Sequence, residues 1–158
     1  MMSEHLASGT RANVRDVAQY ILDKYDHPLP TMKLQKLVYY SQALHCAALG
    51  EPLFDEVIEA WRNGPVVRDL YSTHRGRATV TTIPQGDSGA LTESQKGAID
   101  AVIDSFGGLT GWQLSQMTHN EAPWIQAFDG DDEYPQTPIE TDVMASYYRE
   151  KWGLAVGQ

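Results

Sequence analysis

The chain has one cysteine in 158 residues, Cys46, which excludes an intramolecular disulfide and a thiolate zinc cluster. So little cysteine suits a reducing compartment, and the expected location is cytoplasmic. No apolar run approaches the roughly 20 residues that a membrane span needs. Basic residues are scarce too: 12 Lys and Arg stand against 21 Asp and Glu, a net charge of −9. No segment concentrates them into the patch that phosphate contacts require, which argues against direct nucleic-acid binding. His5, His27, His45, His74 and His119 include no pair at metal-ligating spacing, and no HExxH motif occurs. A Gly-rich phosphate loop after a strand and a GxSxG elbow are missing as well. The expectation is a non-enzyme without metal or cofactor.

What the chain does have is one helix of uncommon composition. Thr31 to Gly50 reads TMKLQKLVYYSQALHCAALG. At 100° per residue, Leu34, Leu37, Val38, Ser41, Leu44, His45 and Ala48 share one face, and Tyr39, Tyr40, Ala43, Cys46 and Ala47 take the other. Its only charges, Lys33 and Lys36, lie in the first two turns. A helix that is apolar all round is covered by neighbours on several sides. The predicted fold is therefore mainly α: a compact helical domain wrapped around a central buried helix at about 32–49, with at most a small β ribbon. A single domain over 13–153 is expected at this length. A loose tail at 1–12, without the basic and apolar regions of a secretory signal, precedes it, and a short tail at 154–158 follows.

Around that helix, Asn13 predicts the N-cap of a helix over Val14 to Tyr25, ended by the prolines of His27-Pro28-Leu29-Pro30. Thr31 is read as the cap of the central helix and Gly50 as its left-handed terminus. Pro52 to Trp61 reads as extended. Asn63-Gly64-Pro65 reads as a turn feeding a helix over about Val66 to Ser72, with Pro65 at its first position. Arg77 to Ile83, rich in Thr and Val, suggests an edge strand. Thr92 and Gln95 form a capping box for a helix to Phe106, and Thr110 caps another. Pro123 starts a turn that sends Trp124 and Phe128 inward, and a last helix covers about Thr141 to Trp152. The acidic run Asp129, Asp131, Asp132 and Glu133 is either solvated surface or a means of steering a basic partner.

Adjacent His45 and Cys46 do not pair as base and nucleophile, because helix neighbours point about 100° apart. Each reads as core. A group of aromatic and polar side chains is left: Gln35, Tyr39, Tyr40 and Gln42 on the central helix, beside Trp61, Asn63, Tyr71 and Trp124. Aromatics with polar tips supply interface area at small entropic cost, and buried ones satisfy one another, so the set serves either a partner or the core.

Four ordered blocks add a family context. Lys33 to Gln42 (KLQKLVYYSQ), Pro52-Leu53-Phe54, Glu59 to Val66 (EAWRNGPV) and Thr118 to Trp124 (THNEAPW) resemble the blocks of the Panacea antitoxin domain. The resemblance extends over most of the chain, from Val14 to Trp152. It implies a helical antitoxin that neutralises a cognate protein toxin, encoded by the adjacent gene, by binding it directly. One branch resembles a proteolytic adaptor that hands the toxin to a protease, which is the alternative reading. No cofactor, membrane or direct nucleic-acid partner is implied, and self-association stays open. The candidate site is Lys33, Gln35, Lys36, Tyr39, Tyr40, Trp61, Asn63, Gly64, Pro65, Tyr71, Glu121, Pro123 and Trp124, as partner contacts or as scaffold. Lys33 and Lys36 are expected to pair with carboxylates such as Glu59 or Glu121, or to present charge to the partner. Partner choice is expected in Arg75 to Ala90, the acidic loop and the ends. On this reading Leu37→Asp unfolds the domain, while Lys36→Glu leaves folding nearly intact and weakens the toxin complex.

Overall fold

The computed structural model describes residues 10–130 and 136–155. In chain order these form α1 (Val14–Leu22), β1 (Leu29–Pro30), α2 (Thr31–Leu49), β2 (Ile58–Trp61), β3 (Gly64–Val67), α3 (Arg68–His74), β4 (Thr79–Val80), a 3₁₀ turn (Ser88–Ala90), α4 (Glu93–Phe106), α5 (Gly111–His119), α6 (Ala122–Ala127) and α7 (Thr141–Lys151). The fold is mainly α, with two small antiparallel ribbons, β1–β4 and β2–β3. No helix among the described residues is long and apolar enough to cross a membrane.

Helix α2 is the rod that its composition predicts. Every side chain from Leu34 to Ala43 is buried, as are His45, Cys46 and Ala47, and α1, α4, α5, α7 and β3 pack around it. Gly50 ends it at φ 79°, where its N–H bonds the Cys46 carbonyl. The start differs from expectation. Pro30 holds the N-cap position without a side-chain bond, and Thr31 is already helical. The reason lies in the β1–β4 ribbon, which brings the carbonyls of Arg77 and Ala78 to Thr31, whose hydroxyl and N–H donate to them. Helix α1 has Asn13 as its cap but stops at Leu22, and a turn carries the chain on to Tyr25.

The largest difference is at Pro65, which begins no helix. It lies in β3, with Trp61 opposite Gly64, Ala60 opposite Pro65 and Ile58 opposite Val67. In a hairpin the pair closing a two-residue turn is hydrogen-bonded and the next is not. Pro65 therefore falls where its missing N–H removes no ladder bond, and the helix starts only at Arg68.

The described residues just before α1 are more attached than a tail. The Ala12 N–H donates to the Leu53 carbonyl at 2.8 Å, and Arg11 pairs with Glu51 and Asp55. At the other end Leu154 packs on the core. In the acidic run Asp131, Asp132 and Glu133 lie outside the described residues, as do the expected tail residues 1–9 and 156–158.

Candidate functional site

Three of the four sequence blocks converge on the β2–β3 hairpin, and the other, Pro52-Leu53-Phe54, is held by the Gln42 amide of α2. Arg62 and Asn63 form its turn, and neither takes a positive φ, so the primed hairpin turns are excluded. Gly64 supplies the left-handed residue at φ 119°, and a Cβ there would lie 2.5 Å from Cε of Lys36 and 3.0 Å from the Thr118 hydroxyl. Only glycine fits.

Side chains from elsewhere hold this turn by its backbone. Indole Nε1 of Trp124 donates to the Trp61 carbonyl at 2.7 Å, Nε2 of His119 to the Arg62 carbonyl at 2.7 Å, and Oγ of Ser115 to the Asn63 carbonyl at 2.6 Å. The outward edge of β3 is satisfied from α2 instead of by a strand. Nζ of Lys36 donates to the Pro65 carbonyl at 3.1 Å. The Gln35 amide accepts from the Val67 N–H at 2.9 Å and donates to its carbonyl at 3.4 Å. The second amide hydrogen of Gln35 goes to Nε2 of His74 at 2.9 Å, which places the His74 proton on Nδ1. With its backbone so held, the turn directs its side chains away from the core.

Those side chains wall a cavity of about 870 Å³, lined among others by Met32, Trp61, Arg62, Asn63, Arg68, Tyr71 and Arg75, with Gln35, Lys36 and His74 beneath. Trp61 and Tyr71 meet edge to face at 4.9 Å, and the Arg68 guanidinium lies 5.0 Å over the Trp61 ring. Glu59 fixes both, accepting from Trp61 Nε1 at 2.9 Å and from Arg68 Nη2 at 3.1 Å. Burial pulls Lys36 down from the ordinary 10.5 to about 7 and lowers His74 as well.

Tyr39, Tyr40 and Glu121 form a separate group one turn further along α2. The hydroxyls of Tyr40 and Tyr148 donate to the same Glu121 oxygen at 2.7 and 2.6 Å. With the Tyr148 proton spent there, Tyr39 donates to the Tyr148 hydroxyl at 3.0 Å. Burial raises the Glu121 carboxyl above the usual range, against the two tyrosine bonds and Lys151. All three tyrosine hydroxyls are pushed upward by burial. All four residues of the cluster, Tyr39, Tyr40, Tyr148 and Glu121, are buried.

The candidate residues thus divide. Gln35, Lys36, Gly64, Pro65 and Trp124 build the pedestal, with Pro123 in the first turn of α6. Trp61, Asn63 and Tyr71 stand on it. Tyr39, Tyr40 and Glu121 seal the core. The expected ion pairs of Lys33 and Lys36 with Glu59 or Glu121 do not form: Lys33 donates to the Gly107 carbonyl at 2.7 Å, and Lys36 lies under the hairpin. Arg68 takes Glu59 instead. His45 is bonded to the Glu51 carbonyl, and burial pushes the Cys46 thiol up to about 12. Sequence reasoning gave no site role to Ser115, His119 or Tyr148. The i, i+4 spacing of Ser115 and His119 on one helix face was the available signal.

The comparisons with known proteins cover the same stretch of chain. Residues 34–125 match the family model described as antitoxin SocA-like, Panacea domain, a range that runs from α2 to α6 and contains the whole pedestal. A relative is antitoxin SocA of Caulobacter vibrioides (strain NA1000 / CB15N), 39% identical over 62 residues. That alignment covers 37% of this chain and 33% of the relative, so it spans about a third of the relative's length. No solved structure matches. A hairpin held by its carbonyls on a buried central helix is therefore the frame on which the matched range is built, and the chain belongs to the SocA-like antitoxin family with a Panacea domain.

Proposed function

We propose that this protein is a cytoplasmic antitoxin that neutralises a cognate protein toxin, the product of an adjacent gene, by direct association, and that the Trp61–Gly64 turn with its cavity is the contact face. The observation that carries the reading is the division of labour at the turn. Three consecutive carbonyls are held from α5 and α6, while Arg62 and Asn63 are exposed and Trp61 is half-buried. A rigid backbone presenting Trp, Arg and Tyr is how protein interfaces lower the entropic cost of binding. Family membership adds that relatives are antitoxins.

The test is co-expression with the neighbouring gene. Growth arrest by the neighbour alone, rescue by this chain and a co-purifying complex are the expected results. A neighbour that is harmless alone, or rescue without a complex, overturns the reading. Toxin half-life in the same cells separates blocking from delivery to a protease: a stable toxin supports association alone, and a shortened half-life supports the adaptor role.

A further inference from the structure

We propose that a second cavity, which shares Arg68 and Ser72 with the one beside the turn, receives a Lys or Arg side chain of the partner protein, with Glu56 as its counter-charge. The inference rests on the toxin-binding reading and adds the chemistry that the partner brings to this site. The charges lining the cavity, of about 710 Å³, are engaged with one another except at one place. Arg15 lies 3.5 Å from Asp69 and donates to the Gln85 amide oxygen at 2.7 Å, and Arg68 donates to Glu59 at 3.1 Å. Glu56 is the exception: its Oε1 is buried and meets no hydrogen-bond donor among the described residues. Those residues include all 12 Lys and Arg of the chain, and none of them forms an ion pair with Glu56. A buried carboxylate oxygen without a donor is costly, and a cation brought by a partner offsets that cost. Glu56 as a whole is half-buried and lines the cavity, so a donor arriving there meets its carboxylate.

One wall is held in a strained form. Gln85 is the one non-glycine residue at positive φ among the described residues, at 67°, and such backbone persists where its surroundings over-determine it. Helix α1 does so here. Gln19 accepts from the Ile83 N–H and Asp16 from the Asp87 N–H, both at 2.8 Å, and a Cβ on Gly86 would lie 2.7 Å from the Arg15 carbonyl. The pinned loop keeps Arg15 engaged, which leaves Glu56 for a donor from outside. The occupant is a protein side chain and not a metal ion, since no group of three His, Cys, Asp or Glu that could hold a metal occurs among the described residues. Val57, 56% exposed on the cavity lining, offers an apolar surface to the aliphatic stem that Lys and Arg carry below their charge. Arg68 and Ser72 line both cavities, so a partner seated on the turn reaches this one as well.

The test uses the full chain and the protein encoded by the adjacent gene. Calorimetric titration compares wild type, Glu56→Lys, Glu56→Gln and an Asp104→Lys control at an exposed position of α4 outside the cavity. Glu56→Lys is expected to weaken the complex roughly tenfold or more, Glu56→Gln about fivefold, and the control less than about twofold. Glu56→Gln keeps the shape and removes an unpartnered charge, so it is expected to fold like wild type in circular dichroism and carries the test if Glu56→Lys does not fold. Each Lys and Arg of the partner is then changed to Ala, and one of these changes is expected to lose its effect in the Glu56→Gln background. Wild-type affinity in Glu56→Gln, or a scan in which no partner residue couples to Glu56, overturns the inference while toxin binding stands. Absence of any complex with wild type overturns both. Saturable spermidine binding that Glu56→Gln abolishes also overturns it, because the occupant is then a free polyamine.

Discussion

Two clusters of polar-tipped side chains sit a turn apart along α2, and they are built on opposite rules. In one, Tyr39, Tyr40 and Tyr148 turn their hydroxyls toward a single buried carboxylate, Glu121. In the other, the polar tips of Trp124, His119, Ser115, Gln35 and Lys36 turn toward backbone groups of a hairpin. Side chains that satisfy one another close a surface. Side chains that satisfy a turn's backbone leave that turn's own side chains outside. The difference separates scaffold from presented surface in a set of residues that composition alone makes look alike.

The sharpest way to break the comparison is to remove the plug. Tyr148 is fully buried, and Tyr148→Ala leaves a cavity, strips Glu121 of a hydrogen bond and strips Tyr39 of its partner. The expected loss is about 3–5 kcal/mol in denaturant unfolding; a variant as stable as wild type removes the plug from the scaffold. Next in size is Lys36→Glu, for which the structure reverses the expectation from sequence. Lys36 is 2% exposed and under the hairpin, so a carboxylate there is buried facing the Pro65 carbonyl. A loss of about 3 kcal/mol is expected, whereas Lys36→Met, which keeps the stem and drops the charge, is expected to stay within about 1.5 kcal/mol of wild type. Equal stability of the two variants in thermal unfolding contradicts the burial.

Much of the architecture was legible because its causes are local. The Thr92–Gln95 capping box, Gly50 at the end of α2 and the all-round burial of α2 follow from neighbours in sequence and from helical period. The hairpin was misread because Asn-Gly-Pro also suits a helix start; what decides is the pairing with Ile58–Trp61, which places Pro65 at a position needing no N–H. The site was legible as a set of residue types and illegible as two clusters. Gln35 meets Val67 across 32 positions and Tyr39 meets Tyr148 across 109, and no periodicity announces a bond from a side chain to a distant carbonyl. Lys36 was expected to pair with a carboxylate or to present its charge to a partner because lysine is rarely buried unpaired; only the packed hairpin shows it enclosed.

That enclosure also makes the pedestal side titrate in an unusual direction. Lys36 falls from 10.5 to about 7 on folding, so between those values the unfolded chain holds a proton that the native chain has released. Stability contributed by this group therefore rises with pH across the window and is flat below it. Burial of the Cys46 thiol and the tyrosines acts oppositely, but only as pH approaches their unfolded values of 9 and 10. From pH 7 to about 8.5, wild type is expected to gain about 1.5 kcal/mol relative to Lys36→Met. Parallel pH profiles of the two in urea unfolding remove the enclosed lysine.

The finest cut compares a donor with the residue whose backbone it holds. Ser115 is buried and its hydroxyl donates to the Asn63 carbonyl at 2.6 Å, while the Asn63 side chain is exposed. Ser115→Ala removes that donor, leaves the carbonyl without it and is expected to cost about 1 kcal/mol. Asn63→Ala leaves the same carbonyl in place and is expected to change stability by less than about 0.5 kcal/mol. The order of the two effects matters more than their size, and paired urea titrations measure it. If Asn63→Ala is the more destabilising, the turn depends on its own side chains, and the distinction between what holds this surface and what it offers to a partner is lost.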